Sequence, residues 1–208
     1  MMQKNLAEVL EQAGVVPVLV IEKVEDALPL AEALVEGGLN VLEITLRTEA
    51  ALDAVEQIAK HLPDAHVGTG TVLNVEDIRR SVDAGATFMV SPGATEQLLD
   101  AADSVEVPLL PGAADPSEVM RLLERGYRYQ KFFPAQAAGG VPMLKSIGGP
   151  LPQVKFCPTG GIGPNNAKDF LALSNVVCVG GSWMAAANLI RENRWADITR
   201  LAKEAFSL

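Results

Sequence analysis

One feature constrains this chain more than any other. Eight times, a short run of β-branched or apolar residues is followed, after a polar or glycine-rich break, by a longer stretch whose apolar residues recur with helical spacing. GVVPVLVI (14–21) precedes 26–37, VLEIT (41–45) precedes 49–61, HVGTGTV (66–72) precedes 75–84, and TFMV (87–90) precedes 94–103. PLLPG (108–112) precedes 116–125, YRYQKFF (127–133) precedes 140–147, QVKFC (153–157) precedes 165–173, and NVVCVGG (175–181) precedes 183–191. Successive strands are about 22 residues apart, close to the shortest unit that holds a strand, a three-turn helix and two tight connections. Regular strand–helix alternation predicts a parallel sheet, and eight units predict closure into a (β/α)8 TIM barrel. Residues 2–13 precede the first strand and read as an extra N-terminal helix over one mouth of the barrel; 192–206 read as a last helix on the outer ring. An open doubly wound sheet is the competing arrangement, but no G-x-G-x-x-G turn follows the first strand.

Several helix ends are written into the sequence. Gly37-Gly38, Gly85 and Gly126 stand where a helix must finish in left-handed geometry. Asp115 before Pro116, with Glu118 three residues on, has the form of an N-cap followed by proline in the first turn. With 208 residues, 49% of them hydrophobic, the chain has the material for one large core, and a single domain over 1–208 is expected. The net charge of −9, without any run of three basic residues, argues against a nucleic-acid or anionic-membrane surface. An anionic ligand would have to be held locally, by a few cations and backbone N–H groups working against the mean field. Two cysteines, Cys157 and Cys178, both in apolar runs, point to reduced core thiols. The N-terminus lacks the pattern of a secretory signal, and no apolar run reaches membrane-spanning length, so a cytoplasmic enzyme is the expected class.

In such a barrel the working side chains project from the C-terminal ends of the strands. Those ends carry Glu43 and Arg47 on the second unit, Thr69 and Thr71 on the third, Ser91-Pro92-Gly93 on the fourth and Pro111-Gly112 on the fifth. Lys131 with Phe132-Phe133-Pro134 ends the sixth, Pro158-Thr159-Gly160-Gly161 the seventh, and Gly180-Gly181-Ser182 the eighth. Glycines at the last two ends would let backbone N–H groups approach a phosphate, with Ser182 as N-cap of the helix that follows. Their other reading is two tight strand–helix turns.

Lys131 stands between Tyr129 and two phenylalanines, where desolvation would favour the neutral, nucleophilic amine. A neutral amine can add to a ketone, and the protonated Schiff base that results is an electron sink for carbon–carbon cleavage. A rim lysine with its head in water is the alternative. Glu43 lies inside an apolar strand, where a carboxylate is costly unless paired or used. It reads as a general acid/base or as a structural partner of Arg47 or Lys131, and Arg47 could hold a substrate carboxylate through two parallel hydrogen bonds. His61 and His66 lack the spacing of a metal cluster, and neither metal nor nucleotide cofactor is expected.

In this order and spacing, VLEITLRT (41–48), GTGTV (68–72), SPG (91–93), PG (111–112), KFFPA (131–135), GG (139–140), CPTGGI (157–162) and VGGSW (179–183) resemble one family. It is the class I bifunctional 2-keto-3-deoxy-6-phosphogluconate (KDPG) and 4-hydroxy-2-oxoglutarate (KHG) aldolases. The resemblance runs from about Leu6 to Ala205. It implies that Lys131 forms the Schiff base, that Glu43 is the acid/base, acting through a water, and that Arg47 and Thr71 hold the pyruvyl carboxylate. It further implies that Pro92 and Phe133 shape the pocket, that Thr159 lies near the reacting hydroxyl, and that Gly160, Gly161, Gly181 and Ser182 contact the phosphate. The implied substrate is a small phosphorylated keto acid, cleaved to pyruvate without a cofactor, by a homotrimer. The sequence departs from the family pattern at Asp115 and Gln136, where threonine and glutamate are usual, which bears on substrate breadth. Two alternatives stand beside this: an aldolase for the galactonate epimer, whose pattern has an apolar residue at the position of Thr159, and a phosphosugar-binding barrel without catalysis.

Overall fold

The computed structural model describes residues 3–208; Met1 and Met2, the first two residues of the single domain expected over 1–208, and so position 2 of the N-terminal helix expected over 2–13, lie outside the described residues. Among the described residues, helix α1 (Lys4–Ala13) is followed by nine short strands, with helices after all of them but β5: β1 (Gly14–Leu19), α2 (Ala27–Glu36), β2 (Val41–Thr45), α3 (Ala51–His61), β3 (His66–Gly70), α4 (Val75–Asp83) and β4 (Phe88–Val90). Then come α5 (Glu96–Ala102), β5 (Leu109–Leu110), β6 (Gly112–Ala113), α6 (Pro116–Glu124), β7 (Tyr129–Phe132), α7 (Gly140–Gly148) and β8 (Lys155–Pro158). The chain ends with α8 (Ala167–Leu171), β9 (Cys178–Gly181), α9 (Ala187–Arg191) and α10 (Trp195–Phe206).

Side-chain caps start several of these helices. Asn74 Oδ1 accepts from Asp77 N at 2.9 Å while Asp77 Oδ2 accepts from Leu73 N at 2.9 Å, a reciprocal lock on the first turn of α4. Asp115 Oδ1 accepts from Ser117 N and Glu118 N, with Pro116 in the first turn, as its spacing predicts. Gly38, Gly85 and Gly126 have φ of 95°, 83° and 92°, the left-handed geometry that ends α2, α4 and α6.

All strand pairs are parallel. Six strands follow the order β5-β4-β3-β2-β1-β9 and three the order β6-β7-β8. The two sheets meet at both edges. At one, only Pro111 separates β5 from β6, and its carbonyl accepts from Lys131 N at 2.9 Å. Proline has no N–H to donate, so the fifth expected strand, 108–112, is two short pieces that pair with different neighbours. At the other edge, Phe156 N donates to Asn175 O at 2.8 Å and Val177 N to Phe156 O at 3.0 Å, and Thr159 bridges Gly180. The sheet is thus a curled, parallel α/β assembly.

Strand alternation sorts the core into two layers. Leu42, Ile44, Val67, Met89, Leu109 and Phe132 point outward and pack against the helices. Val16, Val41, Phe88, Val90, Leu110, Cys157 and Cys178 point inward and meet Leu6 and Leu10 of α1. Gln3 ties this end down: its amide donates to the carbonyls of Tyr129 at 2.8 Å and Leu109 at 3.2 Å and accepts from Tyr129 N at 2.9 Å. Burying Leu6 and Leu10 contributes about 1.5–3 kcal/mol each.

Two expectations need correction or explanation. The eighth helix, expected over 183–191, is a 3-10 turn at Trp183–Ala185 and a separate short α9, because Ala186 takes extended geometry with ψ of 141° and breaks the ladder. Gln130, polar where an outward residue should be apolar, is fully buried because its amide donates to the carbonyls of Val119 in α6 and of Tyr127 at the turn before β7. Among the described residues, no helix is long and apolar enough to cross a membrane.

Candidate active site

Because Leu42 and Ile44 face the helices, Glu43 between them must face inward; the same parity puts Phe132 outward and Lys131 inward. The two side chains converge from opposite sides of the curled sheet. Lys131 Nζ donates to Glu43 Oε1 at 3.2 Å, with the residues only 5% and 3% exposed. The Phe133 ring centroid lies 5.4 Å from the ammonium, a cation–π contact. A nearly dry ion pair recovers its desolvation only partly from Coulomb attraction, so this pair is a costly way to add stability. Its chemical capacity is plainer: an amine and a carboxylate within one hydrogen bond can exchange a proton without bulk water. Thr45, which sequence reasoning did not single out, lies two residues on along the same strand face and donates to Leu19 O at 2.8 Å, binding β2 to β1 beside the pair. Its i+2 spacing from Glu43 was the available signal.

The remaining expected residues lie at the C-terminal ends of the strands or in the loops directly after them. Arg47 is exposed beyond β2, its backbone N–H turned back to Thr45 O at 2.8 Å, and its guanidinium makes no ion pair among the described residues. Thr71 follows β3 with φ of 60°, a left-handed conformation rare for a branched residue. Pro92 and Phe133 are half-buried after β4 and β7. Thr159 is buried at the end of β8, its hydroxyl 4.0 Å from Cys157 Sγ. Thr69 does not join them: it points outward and donates to Ser81 Oγ on α4 at 2.8 Å.

Gly160 and Gly161 are consecutive left-handed residues, φ 102° and 75°. The loop they form is bonded to the one after β7, since Thr159 O and Gly160 O accept from Ala135 N and Gln136 N at 2.8 and 3.0 Å. Among the described residues, the N–H groups of Gly160, Gly161 and Ser182 donate no hydrogen bond to the protein, which leaves them free for an anion. Gly181 packs under the Trp183 ring, in space a Cβ would fill. Ser182 departs from expectation: it is exposed, opens only the 3-10 turn and makes no side-chain cap bond, so any anion contact there uses backbone or hydroxyl and not a long helix's dipole.

The cysteines lie in the inner apolar layer. A hydrogen bond with Cys157, and then burial, hold the Cys178 thiol well above its ordinary range, which keeps it protonated and unreactive. Among the described residues, no three His, Cys, Asp or Glu side chains gather as a metal cluster would need.

A buried lysine–carboxylate pair inside a curled parallel α/β sheet, with a glycine loop whose N–H groups are free among the described residues, defines a site for carbonyl chemistry on an anionic substrate. The family model described as "Aldolase: KDPG and KHG aldolase" matches residues 6–201. The chain is 52% identical over 198 residues to 2-dehydro-3-deoxy-phosphogluconate aldolase of Pseudoalteromonas atlantica, covering 95% of this chain and 92% of that one. It is 51% identical over 203 residues to the KHG/KDPG aldolase of Escherichia coli K12, covering 97% and 95%. Among solved structures, the Legionella pneumophila KDPG aldolase with pyruvate captured as a covalent carbinolamine superposes with a TM-score of 0.93 at 51% identity, covering 95% and 96%. The Zymomonas mobilis ZM4 aldolase with 3-phosphoglycerate gives 0.93 at 49% identity, covering 99% and 96%. This chain belongs to the KDPG and KHG aldolase family.

Proposed function

We propose that this protein is a class I, Schiff-base aldolase that cleaves 2-dehydro-3-deoxy-6-phosphogluconate reversibly to pyruvate and glyceraldehyde 3-phosphate, and also splits 4-hydroxy-2-oxoglutarate to pyruvate and glyoxylate. The observation that carries this reading is the 3.2 Å contact between Lys131 and Glu43 in a nearly water-free setting. Lys131 gives a proton to Glu43 and adds through Nζ to the ketone carbon of the substrate. The carbinolamine takes a proton back and loses water, leaving a protonated Schiff base. Glu43, directly or through one water, then removes the proton of the C4 hydroxyl. The C3–C4 bond breaks, its electrons pass into the iminium as an enamine, and the aldehyde departs. Protonation at C3 and hydrolysis release pyruvate and restore the amine.

The other side chains fit around these steps. Arg47, exposed after β2 and in no ion pair among the described residues, is the cation for the substrate carboxylate, with the Thr71 hydroxyl as the second contact. Thr159 faces the reacting hydroxyl, and Pro92 and Phe133 wall the pocket. The substrate phosphate sits on the free N–H groups of Gly160 and Gly161, with Gly181 and Ser182 opposite. In a chain of net charge −9 such local donors, and not a general positive field, must hold the anion.

The fold in this reading is an eight-stranded (β/α)8 barrel in which β5 and β6 are one interrupted strand and α1 closes the mouth away from the site; the hydrogen bonds at both sheet edges support it. The working form is a cytoplasmic homotrimer, which light scattering after size exclusion tests directly. For the activity, Lys131→Met should abolish turnover of 2-dehydro-3-deoxy-6-phosphogluconate while the folded chain still binds it. Unchanged turnover would reject the mechanism, and turnover abolished by a chelator and restored by a divalent metal would also reject it.

A further inference from the structure

We infer that Gly70 is a positioning residue: the space left by its missing side chain is the seat of the Glu43 carboxylate. The claim rests on the aldolase reading for its catalytic consequence, and on geometry alone for its structural one. Gly70 ends β3 and pairs in register with Thr45, two residues beyond Glu43. A Cβ at Gly70 would collide with Glu43 Oε1, the oxygen that accepts from Lys131, and would stand 2.7 Å from Cγ and 2.8 Å from Cδ of the same side chain. All three of its nearest atoms belong to Glu43. Backbone conformation does not explain the glycine, because Gly70 lies outside the left-handed region where only glycine is at ease. A glycine in a strand marks a close approach by another group, and the group here is the acid itself.

The alternation along β3 provides a control. Gly68 faces the same way two residues earlier, in register with Glu43 itself, yet the three atoms nearest a Cβ there all belong to the Phe88 ring and none to the ion pair. Filling Gly68 therefore overcrowds the core, whereas filling Gly70 moves the proton carrier. The atoms in the way at Gly70, from Cγ outward, all belong to one flexible side chain, so Gly70→Ala is accommodated by rotating the whole Glu43 side chain, which takes its carboxylate off Lys131. The barrel keeps its fold and loses its alignment.

Steady-state kinetics on wild type, Gly70→Ala, Gly68→Ala, Glu43→Gln and the Glu43→Gln/Gly70→Ala double variant test this, with thermal melts of each. Gly70→Ala should lower kcat about 10- to 100-fold, the scale of a misplacement near 1 Å, with KM nearly unchanged. In the Glu43→Gln background the same change should cost almost nothing further, because the group it displaces no longer carries protons. Gly68→Ala should lower Tm while retaining kcat. Wild-type kcat in Gly70→Ala, or full additivity with Glu43→Gln, would overturn the proposal. Should Gly70→Ala fail to fold, Glu43→Ala/Gly70→Ala must be as stable as Glu43→Ala alone, since both lack the colliding carboxylate; a double variant that melts below Glu43→Ala puts the clash elsewhere and the proposal falls. That stability arm holds whether or not the chain is an aldolase, so loss of the activity reading and loss of the Gly70 reading are told apart.

Discussion

Lys131 and Glu43, 88 positions apart in sequence, meet at 3.2 Å in the interior of a curled parallel sheet. Each is inward only because its strand neighbours are outward, so the pair is fixed by strand parity on β7 and β2. Glu43→Gln keeps the shape and removes the carboxylate proposed to carry the proton. It should lower kcat by about 10²–10⁴. The amide also leaves a buried ammonium without its counter-charge, so Tm should fall, within the roughly 3–5 kcal/mol seen for broken buried pairs. A variant that melts lower yet turns over at a near-normal kcat would make Glu43 a counter-ion and no more.

Thr159 presents a buried hydroxyl at the end of β8, held beside Cys157. Thr159→Val keeps the shape but not the hydrogen bond. If the hydroxyl reads the configuration at the reacting carbon, the ratio of kcat/KM for the gluconate over the galactonate epimer should fall about tenfold or more, the scale of one lost polar contact. An unchanged ratio would move epimer selection to other residues.

Gln130 is a structural counterpart to these catalytic expectations. Its amide satisfies the carbonyls of Val119 and Tyr127 in the outer layer, while its own Oε1 has no partner among the described residues. Gln130→Leu leaves the buried Tyr127 carbonyl without its donor, while Val119 O inside α6 keeps its helical partner, and should cost about 1–3 kcal/mol in urea unfolding, with kcat unaltered. A stability equal to wild type would mean that the turn before β7 re-forms its bonds elsewhere.

Alkaline pH should weaken the fold through two phenols. Burial first, and then the hydrogen bond to Glu11, push Tyr129 from 10.0 up to about 12; burial, and then the bond to Asp103, push Tyr127 higher still. Folded chains therefore keep these protons where unfolded chains release them. The contribution is complete below about pH 10 and is lost as pH rises through the folded values. Urea midpoints should fall from about pH 9 to about pH 11, and Tyr127→Phe should flatten the decline. Equal slopes in the variant and wild type would assign the decline to other groups.

Much of this was legible beforehand because alternation of strand and helix is a long-range, redundant signal, and because Lys131 and Glu43 are charges in apolar strands, which only pairing or chemistry excuses. What escaped was local. Ser182 has the right type for an N-cap, but a cap needs a continuous helix, and the extended Ala186 denies it one. Thr69 and Thr71 look alike in GTGT, yet parity turns Thr69 outward to Ser81 while the left-handed backbone re-aims Thr71. Pro111 in the fifth strand announces its own interruption through the missing N–H. Gly70 was invisible as a functional position because what it contributes is space for another residue.

The most direct test of the central claim is borohydride reduction of the protein with pyruvate, followed by peptide mapping. A secondary amine carrying one pyruvyl-derived unit should form on Lys131 and on no other lysine, and Lys131→Met should take up none. Trapping at a different lysine, or none at all in an active wild-type enzyme, would contradict the account.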